Sequence, residues 1–359
     1  MAPLSLAEYE AAAKAALPAP VWDFLAGASG TESMPIAARA ALDRWRLRPR
    51  CLVDVSKPDP RTTLLGSALE APLAIAPMAY HRLAHPEGEV ATARAAGEVG
   101  ALFTVSMFAS RTLEDIAAAT TAPLWLQLYW LREREQLAEL VGRAEAAGYR
   151  ALVLTVDAPR VARRHRDVRN GFTVPEGISA VNVAPALMSA SHQGEAGASA
   201  IARHSREQFD SSITWADLAW LRERSPLPLV LKGVLTAEDA VLAVEHGVQA
   251  IVVSNHGGRQ LDFAVPAADA LPEISQAVGG RCRIIFDGAV RHGADIARAL
   301  CLGADAVMVG RPVLWGLTHS GSDGAADVLR LLIDEFDEVM ALMGVPEVQD
   351  FGPAGVSRA

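Results

Sequence analysis

A histidine and an arginine, separated by two glycines, follow a short β-branched apolar run. Ala250-Ile251-Val252-Val253 leads into Ser254-Asn255-His256-Gly257-Gly258-Arg259-Gln260-Leu261-Asp262. The run reads as a buried parallel strand, and catalytic groups of α/β proteins gather at the carboxyl ends of such strands. Imidazole is the side chain best suited to move protons near neutral pH. Guanidinium presents a rigid fork of donors that matches a carboxylate. Gly257 and Gly258 add no bulk, so backbone and ligand can approach closely. A base beside a carboxylate clamp points to chemistry at the carbon alpha to a carboxylate; the competing reading is a solvated polar loop.

Other apolar runs end in the same way. Polar residues stand two apart at Gln127 and Tyr129, at Thr155 and Asp157, and at Ser254 and His256; Lys232 and Asp287 close two further runs. Residues two apart share one face of a strand. One buried polar residue is ordinarily a satisfied core group, whereas the repeated pattern is better explained by a polar ligand at a common mouth. Lys232 follows Leu229-Val230-Leu231, which argues against free exposure. Asp287-Gly288-Ala289-Val290-Arg291 and Gly310-Arg311 follow the last two runs, the recurring phosphate position of barrel enzymes. The alternative for Arg291 and Arg311 is pairing with acids on a barrel rim.

The elements that must position these groups alternate strand and helix. Apolar runs begin at Leu73, Ala101, Leu124, Ala151, Leu229, Ala250, Arg283 and Ala306, each followed by a helical pattern, the last from Ala325 to Met343. Eight consecutive units predict a (β/α)8 TIM barrel over residues 73–345. A doubly wound open sheet is the runner-up, disfavoured because no glycine fingerprint follows the first strand. Residues 1–72 form an N-terminal extension with helices from Ser5 to Leu17 and from Val21 to Gly27. The basic stretch at 44–50 reads as a solvated connection. The connection after the fourth strand, residues 160–212, is far longer than usual; its small polar middle predicts an irregular mobile lid over the barrel mouth. The whole is one domain.

With 359 residues, 51% of them hydrophobic and 21% charged, the chain can bury a large core. A net charge of −9 gives no electrostatic footprint for nucleic acid or an anionic membrane. Cys51, Cys282 and Cys301 form no C-x-x-C, which predicts buried thiols in a reducing compartment. No run reaches the roughly 18 apolar residues of a membrane span, and no secretory leader is visible, so the expected location is cytoplasmic. No metal site is expected.

Residues 254–262, SNHGGRQLD, resemble the signature of the FMN-dependent α-hydroxy-acid oxidases and dehydrogenases, and the likeness runs over nearly the whole chain. The resemblance implies FMN as cofactor, an (S)-2-hydroxy acid as substrate, O2 as the final oxidant, and a homotetramer. It implies a flavin ring on Pro77, Met78 and Ala79, with Ser106, Gln127, Thr155 and Ser254 around its edge and Lys232 beside N1 and the C2 carbonyl. Asp287, Gly288, Arg291, Gly310 and Arg311 would hold the phosphate end, although most relatives have glycine in place of Ala289. His256 would be the base, Asp157 its orienting acid, Arg164 and Arg259 the carboxylate clamp, and Tyr129 the donor to the substrate oxygen. Arg164 lies in a run of basic residues and is singled out by the resemblance alone. Phe24 replaces a tyrosine of glycolate and lactate oxidases, and Phe108 a frequent tryptophan. Both changes suit an aromatic substrate. The blocks at 22–27, 79–83 and 127–132 are similar to the branch that oxidises mandelate and 4-hydroxymandelate for antibiotic biosynthesis. An oxidase of small aliphatic acids, such as lactate or glycolate, and a flavin-binding barrel that is not an oxidase are the alternatives.

Overall fold

The structure is a computed structural model and describes residues 3–184 and 200–359. Eight parallel strands close a barrel: β1 (Leu73–Ile75), β2 (Leu102–Ser106), β3 (Leu124–Leu128), β4 (Ala151–Thr155), β5 (Leu229–Val234), β6 (Ala250–Ser254), β7 (Arg283–Asp287) and β8 (Ala306–Val309). Each strand pairs with its neighbour in sequence, and β8 returns to β1. The expected (β/α)8 barrel is therefore the observed one.

Alternation along the strands sorts the side chains into two packed sets. Ala74, Leu102, Trp125, Val153, Val230, Val252, Ile285 and Met308 fill the barrel interior as one cluster. The intervening positions, among them Ile75, Phe103, Leu126, Leu154, Leu231, Val253 and Phe286, belong to the larger core under the helices. Both faces are buried, which is why the strands read as continuous apolar runs. Continuing the interior parity toward the carboxyl ends gives Ser106, Gln127, Thr155, Lys232, Ser254 and Asp287. The polar mouth is thus the top layer of the same stack that is apolar below.

Several elements depart from expectation. The helix Ser33–Asp43 was not visible as a pattern. The basic stretch keeps Arg46, Arg48 and Arg50 exposed but is more than a connection: Trp45–Leu47 pairs antiparallel with Val356–Arg358, and Arg44 bonds Asp269 at 2.5 Å. Thr62–Leu64 and Ser67–Leu69 form a hairpin whose Leu64 and Leu69 join the interior cluster, plugging the far end of the barrel. The long connection contains the helices His165–Asn170 and Ala200–Gln208 rather than being irregular throughout. Its stretch 185–199, at the centre of the expected lid, lies outside the described residues. The final helix begins at Arg311, not Ala325, and breaks at Ser320 and Gly321. Cys282 and Cys301 are buried as expected, but Cys51 is exposed on a surface turn beside the left-handed Leu52. Among the described residues, no helix is long and apolar enough to cross a membrane, and no cluster of metal-ligating side chains is present.

Trp125 is fully buried at the centre of the interior stack, and its indole nitrogen has no hydrogen-bond partner. Trp125→Ala should therefore cost about 3–5 kcal/mol through the cavity left behind. Trp125→Phe should cost much less, since no hydrogen bond is lost with the N–H. Denaturant midpoints of the two variants check this; equal losses would mean that the indole nitrogen matters.

Candidate active site

The carboxyl ends of the strands surround an open cleft of about 1310 Å3, a volume that includes the solvent at its mouth. Its lining includes Pro77, Met78 and Ala79 after β1, Ser106 and Phe108, Gln127 and Tyr129, Thr155, Arg164 and Lys232. It continues through His256, Arg259, Asp287, Gly288, Arg291, Gly310 and Arg311, with Phe24 from the N-terminal extension. Of the residues named from sequence, only Asp157 and Ser254 stand behind the lining, and each bonds a residue within it.

Two polar chains run around the rim. On β2 to β4, Ser106 Oγ donates to Gln127 Oε1 at 3.0 Å, and Gln127 Nε2 donates to Thr155 Oγ1 at 3.0 Å. On β5 to β7, Lys232 Nζ lies 2.9 Å from Ser254 Oγ and 2.7 Å from Asp287 Oδ2, while Ser254 Oγ donates to Asp287 at 2.6 Å. The strand register makes two of these contacts directly, pairing Ser106 with Gln127 and Ser254 with Asp287, while Gln127 and Lys232 reach the residues two past their partners Val153 and Val252. Burial works to raise the Asp287 pKa, but the Lys232 ammonium and the bonds from Lys232 and Ser254 hold it below the usual carboxylate value. That pairing is complete above the ordinary carboxylate range and is lost as pH falls through the lower folded value.

His256 sits just past β6 in the left-handed region at φ 57°, stored strain of the kind found at functional sites. Its backbone N–H donates to Ser254 Oγ at 3.0 Å, and its Nδ1 lies 2.9 Å from Asp157 Oδ1. A carboxylate accepts, so this contact assigns the proton to Nδ1 and leaves Nε2 with a lone pair to accept another. Room for Asp157 comes from a bulge in β5. Gly233 has φ +109°, and a Cβ there would stand 2.5 Å from Asp157 Cβ and Cγ. The glycines after His256 serve the fold as much as any ligand. A Cβ on Gly257 would meet Arg311 Nη1 at 3.0 Å, and one on Gly258 would meet Pro35 Cδ at 2.8 Å.

The arginines are held by carbonyl oxygens at the end of the helix Ala19–Ala26. Arg259 Nη1 donates to Phe24 O at 2.7 Å and Gly27 O at 3.0 Å; Arg311 donates to Leu25 O at 3.2 Å and to the same Gly27 O at 3.0 Å. Helix C-termini carry partial negative charge and unsatisfied carbonyls, so they suit cations. Even so, burial pulls the Arg259 pKa well down, reinforced by Arg164 and Arg311. Burial, then Arg291 and Arg164, bring Arg311 down to about 10. Arg164 is buried with Nε unpartnered, and its nearest acid, Asp167, stands 3.8 Å away. Tyr129 is pushed the other way, far above the usual phenol value by burial and then by Asp157, so it remains a donor through neutral pH.

Aromatic rings form one wall. Phe108, Tyr129 and Phe209 stack with centroid separations of 5.6 Å (Phe108 to Tyr129), 4.6 Å (Tyr129 to Phe209) and 6.1 Å (Phe108 to Phe209). Phe24 stacks on Phe172 at 4.4 Å, and Arg259 lies over its face at 5.2 Å. His204, Phe209 and Phe172 escaped the sequence reading. All three lie in the 160–212 connection, read as an irregular mobile stretch, and no local pattern brings Phe172 to Phe24.

A closed barrel whose mouth gathers buried cations beside an imidazole–carboxylate pair defines a site for anionic guests. The chain belongs to the FMN-dependent dehydrogenase family, whose model matches residues 13–358. It is 47% identical to the 4-hydroxymandelate oxidase of Amycolatopsis orientalis, with 96% of each chain covered. It is 46% identical to an L-lactate oxidase of a Nostoc species (97% of this chain, 96% of that one). A crystal structure of mandelate oxidase with (S)-4-hydroxymandelic acid superposes with a TM-score of 0.95 at 45% identity, covering 99% of this chain and 98% of that one.

The residues present fit FMN. Burial lowers the proton affinity of both Arg291 and Arg311, with Arg39 adding to the first and Arg291 and Arg164 to the second, a cost that a phosphate dianion would offset. Gly310 leaves space beside Met78, where a Cβ would stand 3.4 Å from its sulfur. The rim hydroxyls and amide offer both donors and acceptors to the edge of a flavin.

Gly233→Ala should displace Asp157 from His256 without touching the phosphate end. The expected outcome is normal FMN content with substrate-driven bleaching of the flavin slowed about 100-fold, the scale of lost acid–base assistance. Anaerobic stopped-flow absorbance measures it. Unimpaired bleaching would show the Asp157–His256 contact to be dispensable.

Proposed function

We propose that this FMN-dependent 2-hydroxy-acid oxidase acts on (S)-2-hydroxy acids with an aryl side chain, mandelate and 4-hydroxymandelate, yielding the 2-oxo acids. The aromatic wall of Phe108, Tyr129 and Phe209, in the same cleft as the buried Arg164 and Arg259, carries this reading. The similarity to 4-hydroxymandelate oxidase over nearly the whole chain supports it.

The residue roles follow from chemistry and placement. Arg164 and Arg259 bind the substrate carboxylate, fixing the alpha carbon beside His256. Tyr129, protonated at neutral pH, donates to the substrate's alpha oxygen. His256 Nε2 accepts one of the two protons lost as the alcohol becomes a ketone. Asp157 keeps Nδ1 protonated and stabilises the imidazolium as it forms, the logic of the acid in a serine-protease triad. FMN, when bound, would supply the two-electron acceptor and take up the other hydrogen with the electrons, with O2 as the final oxidant. Arg291, Arg311 and the backbone of Gly288 and Gly310 would hold the phosphate end, and the 77–79 turn with Ser106, Gln127 and Thr155 would hold the ring. Lys232 supplies a fixed positive charge at the polar edge, tethered by Ser254 and Asp287.

The nearly equal identity to the lactate oxidase makes small aliphatic acids the competing substrates. Burying an aryl ring contributes on the order of 2–3 kcal/mol at ~25 cal/mol per Å2. That predicts roughly a 30- to 150-fold preference in kcat/KM for mandelate over glycolate or lactate. Phe24→Tyr should narrow the gap by giving small acids one more donor. Steady-state kinetics on the three acids check both statements. A glycolate preference in the unmodified chain would overturn the aryl assignment and leave the family untouched.

A further inference from the structure

Gln260 joins the two loops that carry the reactive groups. It is buried and stands behind the lining of the cleft, so it acts through what it holds. Its Nε2 donates to Asp157 O at 2.9 Å and to Arg160 O at 3.0 Å, and its Oε1 accepts from Ala162 N at 3.2 Å. One amide thus spans the loop after β4 from Asp157 almost to Arg164. Its own backbone belongs to the loop after β6, next to Arg259 and a turn beyond His256.

β5 lies between β4 and β6 in the barrel, so no strand register aligns these two loops. Among the described residues, no backbone hydrogen bond runs directly from 157–164 to 255–262. The direct hydrogen-bonded links are the three made by Gln260 and the Asp157–His256 contact at 2.9 Å. The N-terminal extension brackets the junction from outside. Ser29 N donates to Gly258 O at 2.9 Å, Ser29 Oγ donates to Gly258 O at 3.1 Å and to Gln260 O, and Gly30 N donates to Arg163 O at 3.0 Å. Without the amide, the Asp157 and Arg160 carbonyls and the Ala162 N–H lose this partner, and the loop is free to shift toward others.

Asp157 and Arg164 stand on the loop that Gln260 grips; His256 and Arg259 stand on the loop it belongs to. We propose that Gln260 is a positioning residue for both halves of the site: given the roles assigned above, it sets the Asp157–His256 contact and the approach of Arg164 to Arg259 together. Its loss slows proton removal and weakens the hold on the substrate carboxylate at once. A displacement of about 1 Å at reacting groups costs on the order of 100-fold.

The test follows anaerobic flavin reduction in the FMN-loaded wild type, Gln260→Met and Gln260→Glu, with whichever of mandelate and lactate the wild type oxidises faster. The saturating rate reports the chemistry, and the half-saturating concentration reports the hold on the substrate. Gln260→Met, of similar length but without the amide, should keep its FMN, lose about 10- to 100-fold in rate and need several-fold more substrate. Gly233→Ala, which displaces Asp157 alone, should lower the rate and leave the half-saturating concentration little changed. In Gln260→Glu the carboxylate offers no donor to the Asp157 and Arg160 carbonyls, whereas its protonated form regains one. Its rate relative to wild type should therefore rise as pH falls, and that profile decides alone if Gln260→Met does not fold. Wild-type values in Gln260→Met, a loss in only one of the two parameters, or a flat pH ratio in Gln260→Glu overturns the role of Gln260. His256→Ala reducing flavin at the wild-type rate overturns the underlying residue roles instead.

Discussion

The site is organised around buried positive charge in excess of its acids. Arg164, Lys232, Arg259, Arg291 and Arg311 line one cleft, and among the described residues only Lys232 has a carboxylate in direct contact, with Arg164 loosely facing Asp167. Burying cations is expensive unless they are paired. The chain accepts that cost in two ways. Carbonyls of the helix Ala19–Ala26 and of Val290 take guanidinium protons, and the Trp315 ring lies 4.9 Å under Arg291. On the reading proposed above, the remainder awaits anions from outside, one a phosphate and one a carboxylate. Ligand binding then relieves an electrostatic debt of the protein itself, which stabilises the folded state by linkage.

The cations need a scaffold that cannot relax around them, and the barrel provides it. The interior parity that stacks Trp125, Val153 and Val252 continues into Gln127, Thr155 and Ser254, so one register fixes both the dry core and the wet rim. A slip of one residue in any strand would send the rim side chains outward under the helices. The single irregularity, the bulge at Gly233, is where Asp157 must come close to β5. The N-terminal extension closes the circuit. It supplies the carbonyls for Arg259 and Arg311, and Asp262 in turn accepts from Thr31 N at 2.8 Å and Ser33 Oγ at 2.8 Å, docking the extension against the loop that carries His256.

Much of this was legible because the signals are local and repeated. Eight apolar runs, six of them ending in a polar residue (Ser106, Gln127, Thr155, Lys232, Ser254 and Asp287), give both the barrel and the parity of its mouth. What was not legible depends on distant partners. Trp45–Leu47 is too short for any periodicity and becomes a strand only because Val356–Arg358 lies beside it. The hairpin that plugs the barrel is two three-residue strands. His204 and Phe209 sit at the end of a connection whose small polar residues suggested nothing built, yet they complete the aromatic wall begun by Phe108 and Tyr129. The resemblance singled out Arg164 within a basic run, and sequence alone offered no way to distinguish it from Arg163 or Arg166. In the structure, Arg166 pairs outward with Asp23 and Glu32, whereas Arg164 points its burial into the cleft.

Ala289 shows how the phosphate loop tolerates a residue that the local geometry does not favour. Its φ of 57° costs an L-residue roughly 1–2 kcal/mol, a cost glycine would not incur. Such strain persists where neighbours over-determine the backbone. Here the Ala289 carbonyl accepts from Arg39 Nη1 at 3.0 Å, and that guanidinium is gripped by Asp295 at 2.7 and 2.8 Å and by Asp43 at 2.7 Å. Asp295 also accepts from the backbone of Arg291 at 2.9 Å and His292 at 3.1 Å, so one buried carboxylate spans the loop from below. The methyl group lines the cavity while the amide remains in the chain that would face a phosphate. Replacing glycine therefore costs conformational energy at one residue without removing a donor, and the Arg39–Asp295 pair behind the loop holds that residue in place.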